Sequence, residues 1–439
     1  MSRPPMPRGS AYAVLAALAA VVVLISAAIF IGARTGDRPG AAPEPRGSAS
    51  PASAGSWVGT WGTSASAAEP RTPTGFAGMS VRNVVHTSIG GSSARIQLSN
   101  LYGTQPLSLT HASLALAAAP SSPGAAPGTM RRLTFGGRTA VTIPAGRTAV
   151  SDPVRLAVPA AADLLVTTYS PTPSGPVTYH PHARQTSYLA RGDRAEDGAG
   201  AAYTGQSPYW RYLTGVDVWN KEARGALAVI GDSITDGVTS TAGANHRWTD
   251  FLAARLRTEP GAPRYGVLNQ GISGNRVLLS GAHGRRSANP SALSRLERDV
   301  FDRTGVRAVI AQLGVNDILR LPHQRDPGKI VAGLRKLVAR AHARGLPVYG
   351  ATLMPFGGHR GYDPRLEAVR EAVNDRIRAG HVYDGVIDLD RALRDPAAPK
   401  RLDPRYDSGD HLHPSDAGYR AMAHAVDLDR LKNGAPTVL

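Results

Sequence analysis

The chain of 439 residues contains no cysteine. That absence removes disulfide frameworks, thiolate metal sites and cysteine nucleophiles from consideration. Export stays open, because a large domain does not need disulfides to be stable. Lysine is scarce too, confined to Lys221, Lys329, Lys336, Lys400 and Lys432. Arginine therefore carries the formal charge of +17. It is spread along the sequence, with no cluster of basic and aromatic residues of the kind that grips nucleic acid. Nucleic acid is set aside as a partner, and weak attraction to anionic polymers or lipid headgroups is what such a charge implies. No H-E-x-x-H pattern occurs, so the commonest helical zinc motif is missing.

An uncharged apolar run extends from Ala11 to Ala33, with Arg3 and Arg8 before it and Arg34 and Arg38 after it. At about 1.5 Å per helical residue it can cross a hydrocarbon core of about 30 Å. Residues 1–33 are expected to be a transmembrane anchor or, if cut near Ser26-Ala27-Ala28, a signal segment. Either way the bulk of the chain is expected outside the cytoplasm. Residues 34–55, rich in Pro, Ala, Gly and Ser, read as a linker.

The hydrophobic period then changes once. Over residues 56–224 it is two, as in Arg95-Ile96-Gln97-Leu98 and Thr139 to Ile143, with turn clusters such as Gly90-Gly91-Ser92 between the runs. This predicts an antiparallel β-sandwich. Trp57, Trp61, Tyr209, Trp210, Tyr212 and Trp219 stand at its two sequence ends, either as a sugar-stacking surface or as packing at the junction. His180 and His182 read as exposed strand residues. Over residues 225–432 short apolar runs alternate with helical spacing, as in Trp248, Phe251, Leu252 and Leu256. This predicts an α/β region with a doubly wound, flavodoxin-like parallel sheet.

Four segments in this second region fall just after apolar runs or just before a helix. They are Gly231-Asp232-Ser233-Ile234-Thr235-Asp236-Gly237, Gly271-Ile272-Ser273-Gly274-Asn275, Gly314-Val315-Asn316-Asp317 and Gly409-Asp410-His411-Leu412-His413-Pro414. An open α/β sheet places its chemistry at the carboxyl ends of its strands, where the first three lie. Pro414 is expected to open the last helix, leaving His413 just before it. A serine hydroxyl is a poor nucleophile unless a base lies within hydrogen-bond reach, and Ser233, His413 and Asp410 could form such a set.

In these residues the chain resembles the GDSL, or SGNH, hydrolase family over roughly residues 225–430: Ser233 in a G-D-S turn, Gly274 in a loop, Asn316 in G-x-N-D, and Asp410 and His413 in D-x-x-H. The resemblance implies a serine esterase similar to secreted arylesterases and acetylesterases in which a β-rich region precedes the catalytic one. Ser233, Asp410 and His413 would be catalytic. The backbone N–H groups of Ser233 and Gly274 and the side-chain amide of Asn316 would form the oxyanion hole. No cofactor and no metal are implied. The expected substrate is a small-molecule or polysaccharide ester, with short acyl or carbohydrate acetyl groups favoured. A lysophospholipase or lipase of the same family is the alternative, as is a cell-surface polysaccharide-binding protein with a vestigial site.

Duller readings compete at each position. Asp232-Ser233 could merely cap a helix, and Asn316-Asp317 could be a turn. Asp236 and Asp317 read as capping or loop hydrogen bonding. His411 is the rival base, and Asp410, His411, His413 and Asp416 could be taken as a metal cluster. Arg276, Arg285, Arg286 and Arg360 suit a polar or anionic alcohol portion or are solvated loop charges.

Overall fold

The first region, Ser56 to Asn220, is built from short antiparallel strands. One sheet pairs Ser56–Gly62 with Leu213–Asn220, then Gly91–Ser99, then Val154–Val158, with Thr148–Val150 also on Gly91–Ser99. A six-stranded sheet has Met79–His86 and Asp163–Ser170 at its centre. Alternation places Ile96 and Leu98 of the first sheet and Val85, Leu164 and Val166 of the second in one buried cluster. The computed structural model describes residues 55–281 and 289–433. The expected anchor or signal segment, nearly all of the linker, and Arg285 and Arg286 lie outside the described residues. Among the described residues no helix is long and apolar enough to cross a membrane.

The second region carries a five-stranded parallel sheet in the spatial order Tyr265–Gly271, Gly225–Gly231, Val306–Gln312, Val348–Ala351, Gly385–Ile387. Numbered along the chain this is 2-1-3-4-5, a doubly wound order whose switch point lies beside the first strand. The Gly225–Gly231 strand is buried along its whole length, as its unbroken apolar sequence demands of a central parallel strand. Helices Trp248–Thr258, Pro327–His342 and Pro364–Arg378 follow the expected spacing. The spacing of Leu293, Leu296 and Val300 resolves into a short α-helix, Ala292–Leu296, followed by a wider π-turn, Glu297–Phe301.

The two regions share buried surface. Val58 packs with Ala226 and Leu268, and Arg303 Nη2 donates to the Thr63 carbonyl at 3.1 Å. Three of the six aromatic residues at the sequence ends of the first region serve packing: Trp61, Trp210 and Tyr212 are buried, and Trp61 meets Trp210 edge-on at 4.9 Å, while Trp57, Tyr209 and Trp219 are half-buried. One expected boundary is corrected. The last long helix is Asp416–His424, and its N-cap is Ser415, whose hydroxyl accepts from Gly418 N. Pro414 stands one residue before the cap, because a hydroxyl cap satisfies a free helix N–H and proline cannot.

Candidate active site

The fully buried first strand delivers the chain into a tight turn. Asp232 caps a one-turn helix, Ser233–Asp236, by accepting from Ile234 N at 3.0 Å, and Gly237 closes it in the left-handed conformation (φ 91°). The cap reading of Asp232 thus holds, and it leaves the neighbouring Ser233 free for another partner. Burial pushes the Asp232 carboxyl up to about 7, against the pull of the Ile234 N–H and the Asn316 amide.

That partner arrives from the far end of the chain. The turn 407–414 is tied by Ser408 N to His413 O and by the Asp410 carboxylate, which accepts from the backbone N–H of Leu412 and of His413. It sets His413 Nδ1 2.6 Å from Asp410 Oδ2 and His413 Nε2 2.8 Å from Ser233 Oγ. Partial burial works to raise the Asp410 pKa, but the His413 backbone N–H and ring outweigh it and hold the carboxyl below its ordinary value. An acceptor on Nδ1 fixes the proton there and leaves Nε2 to receive one from serine.

His411, the rival base, faces away from Ser233. Its Nδ1 lies 2.5 Å from Asp407 Oδ2, and its ring lies over Gly358. The carboxylates of the possible metal cluster are likewise divided: Asp410 pairs with His413, while Asp416 pairs with His246 at 2.7 Å. Among the described residues no three metal-type side chains converge.

Asn316 enters on the short helix Val315–Leu319, after Gly314 (φ 126°), a conformation that glycine adopts without strain. Its Oδ1 accepts from Arg320 Nε at 3.2 Å, so the amide is oriented with Nδ2 turned the other way. Nδ2 is buried and lies near the Asp232 carboxyl, whose pKa it pulls down.

Gly274 has φ 75°, and a Cβ there would stand 2.4 Å from Arg320 Nη2. Its lack of a side chain thus makes room for Arg320, a residue that sequence reasoning did not single out. The loop carrying Gly274 is fixed by buried charge on three sides. Arg295, 1 % exposed, holds Asn275 Oδ1 and the carbonyls of Gly231 and Gln270. Asp317 accepts from the N–H groups of Val277 and Leu278. Asp236 Oδ2 accepts from Ser273 N and Oγ at 2.9 and 2.6 Å. The loop reading of Asp236 and Asp317 is the observed one, but both brace the site and neither is at the surface.

Two expectations are corrected. His180 is buried, with Nε2 2.8 Å from Asp236 Oδ1, because its strand packs against the second region. Arg276 is 8 % exposed and donates to the Leu321 carbonyl, so it is no solvated loop charge. Neither Arg295 nor His180 could be recognised from spacing, since their partners lie far off in the chain.

Residues 229–421 match the model of the GDSL-like lipase/acylhydrolase family. No curated protein matches the chain. Among solved structures, the chain is similar to an acetyl xylan esterase from Geobacillus stearothermophilus at 23% identity, covering 49% of this chain and 98% of that one (TM-score 0.35). A carbohydrate acetylesterase from Sinorhizobium meliloti is 19% identical, with coverage of 47% and 98% (TM-score 0.34). A family two carbohydrate esterase from Clostridium thermocellum, in complex with cellohexaose, is 15% identical, with coverage of 81% and 91% (TM-score 0.35). The four blocks in order, and the parallel sheet from Val229 onward, lie within residues 229–421, the part of the chain that matches the GDSL-like lipase/acylhydrolase domain.

Proposed function

We propose that the protein hydrolyses carboxylic esters through Ser233, His413 and Asp410, with short acyl esters, including acetyl groups on carbohydrate, as preferred substrates. The observation that carries this reading is the unbroken line from Ser233 Oγ through His413 to Asp410, at 2.8 and 2.6 Å. Ser233 Oγ attacks the ester carbonyl while His413 Nε2 takes its proton. Asp410 holds the ring and balances the imidazolium. Charge developing on the carbonyl oxygen is met by the Asn316 amide and by the backbone N–H groups of Ser233 and Gly274, where each donor contributes on the order of 10²–10³ in rate. His413 then returns the proton to the leaving alcohol, and water repeats the sequence on the acyl-enzyme.

The short-acyl preference rests on polarity. Arg320 lies against Gly274 and His411 against Gly358, and the segment Phe356-Gly357-Gly358-His359-Arg360-Gly361 offers little apolar length. Each buried CH₂ is worth about 0.8 kcal/mol, so a long apolar groove would raise kcat/KM steadily with acyl length. The test is a p-nitrophenyl ester series from C2 to C12, run beside acetylated xylan and a lysophospholipid. Activity greatest at C2–C4 supports the reading, and a rise through C12 replaces it with a lipase or lysophospholipase.

We also propose that residues 1–33 take the enzyme out of the cytoplasm and tether it to the membrane. The supporting feature is the apolar run Ala11 to Ala33. Fractionation with membranes, and release of active enzyme on deletion of 1–33, are the expected results. An N-terminus near Ile29 or Arg34 in the mature protein would instead establish cleavage.

A further inference from the structure

His180 belongs to the β-rich region, on the strand Thr178–His180, and Asp236 closes the one-turn helix of Ser233. Their side chains are each 3 % exposed and meet at 2.8 Å. The other ring nitrogen, Nδ1, lies 2.9 Å from the Ser64 carbonyl oxygen. A carbonyl can only accept, so Nδ1 carries a proton. Burial works to raise the Asp236 pKa, but the charge and hydrogen bond of His180 outweigh it and hold the carboxyl below its ordinary value. Nε2 faces Oδ1 of that carboxyl. The second carboxylate oxygen is spent on Ser273, through both its N–H and its hydroxyl. Ser273 immediately precedes Gly274.

A buried ion pair is costly to assemble and is weak evidence for stability. Here it has a geometric consequence. The carboxylate that fixes Ser273 is itself fixed by the His180 ring from the other region, so the position of the Gly274 N–H depends on His180. We propose that His180 and Asp236 are positioning residues for ester hydrolysis, a buried histidine–carboxylate pair that sets the oxyanion-binding loop from across the junction of the two regions. The inference rests on the ester-hydrolase reading above, in which Gly274 N–H is an oxyanion donor. It gives the β-rich region a part in the reaction that requires no contact with substrate.

Asp232, His182, Arg184 and Arg247 stand around the pair. Asp236 feels His182 as well as His180, and Arg247 Nε donates to the Asp236 backbone carbonyl. A cavity of about 340 Å³ borders both His180 and Asp236, with Trp61, His86 and Trp210 also in its wall, and it does not reach Ser233 or His413. It is large enough for a small heterocycle to take the place of a deleted ring.

The test uses the full chain with p-nitrophenyl acetate. His180→Ala and Asp236→Asn are expected to lower kcat by about 10- to 100-fold with KM within about threefold, because a displaced oxyanion donor weakens the transition state more than the bound substrate. Added imidazole is expected to restore part of the kcat of His180→Ala. Thiazole, of similar shape but without an N–H, is expected not to. If His180→Ala does not fold, His180→Gln, which keeps a donor towards Asp236, is read in its place and should lie between wild type and Asp236→Asn. A folded variant with kcat within about twofold of wild type, a loss confined to KM, or equal rescue by thiazole overturns the proposal. Ser233→Ala is run alongside. If it stays active, the ester-hydrolase reading fails and this inference with it. If it is inactive while His180→Ala and Asp236→Asn turn over normally, this inference alone fails.

Discussion

Ser233 and the turn that serves it sit in contrasting surroundings. Around Ser233, Asp232, Ile234, Thr235 and Asp236 are all buried, and Ser233 itself is 9 % exposed. On the other side, the Asp410 side chain is 43 % exposed and that of His413 is 13 % exposed. The contrast follows from the two routes by which the chain reaches the site. Ser233 follows an inner strand of a parallel sheet, which is covered on both faces. His413 and Asp410 ride on a surface turn held by its own hydrogen bonds. Charge acts more strongly in the buried half, where the dielectric is low, than in the half open to water. The buried half should therefore be intolerant of substitution, and the exposed half graded.

The sharpest test of that comparison is Ser233→Ala beside His413→Ala. Both are expected to remove activity by at least about 10⁴-fold in kcat, since members of such a set act as a unit. A fluorophosphonate probe should label wild type at Ser233 and fail on Ser233→Ala. Comparable activity in either variant would dissolve the site as described.

Next in size is Asn316→Ala. It removes the side-chain amide proposed to meet the oxyanion, and a kcat loss of about 10²–10³ with little change in KM is expected. A change in KM alone would make Asn316 a substrate-positioning residue.

Asp410→Asn probes the exposed half. Screening by water weakens what an exposed carboxylate can do, so the expected loss is about 10- to 100-fold, well short of the roughly 10⁴-fold seen where the acid of a triad is buried. A loss as large as that of His413→Ala would show that exposure does not weaken the acid.

Stability provides a fourth test, at Asp232. Its pKa is pushed by burial from the ordinary 3.8 up to about 7. A raised carboxyl penalises the folded state as pH climbs from about 4 towards 7, because the unfolded chain ionises first; above the folded pKa the penalty is complete, at about 1.4 kcal/mol per pKa unit. Asn caps a helix as well as Asp, so Asp232→Asn should raise Tm by at least about 3 °C at pH 8 and by nothing near pH 4. A gain independent of pH would remove the ionisation argument. The smallest effect is expected for His411→Ala, within about threefold in kcat, a surface change away from the reacting atoms.

Much of this was legible in the order of residues. The switch from period two to alternating strand and helix at about residue 225 marks where antiparallel pairing ends and the parallel sheet begins. Ser233, Gly274 and Asn316 could be placed at strand ends because an unbroken apolar run followed by Gly signals a buried strand leading into a turn. Asp410 and His413, three residues apart, could be seen to share one turn. Pairings over long separations were not legible. Nothing in Tyr179-His180-Pro181 predicts a carboxylate from residue 236, and nothing in Arg295 predicts that it grips carbonyls of two different strands. Those contacts depend on how one region packs on the other, and local spacing carries no record of that.

By itself, then, the sequence determined the types of element, the four blocks and the residue chemistry available at each, because hydrophobic period and turn residues act over a few positions. The tertiary structure alone decided that His413 and not His411 faces Ser233, that Arg320 fills the space a side chain at Gly274 would take, and that His180 of the β-rich region is buried against Asp236. The physical reason is the same in each case. Two histidines two residues apart are equivalent in composition and differ only in direction, and a buried charge is tolerated only where packing brings its partner within hydrogen-bond reach.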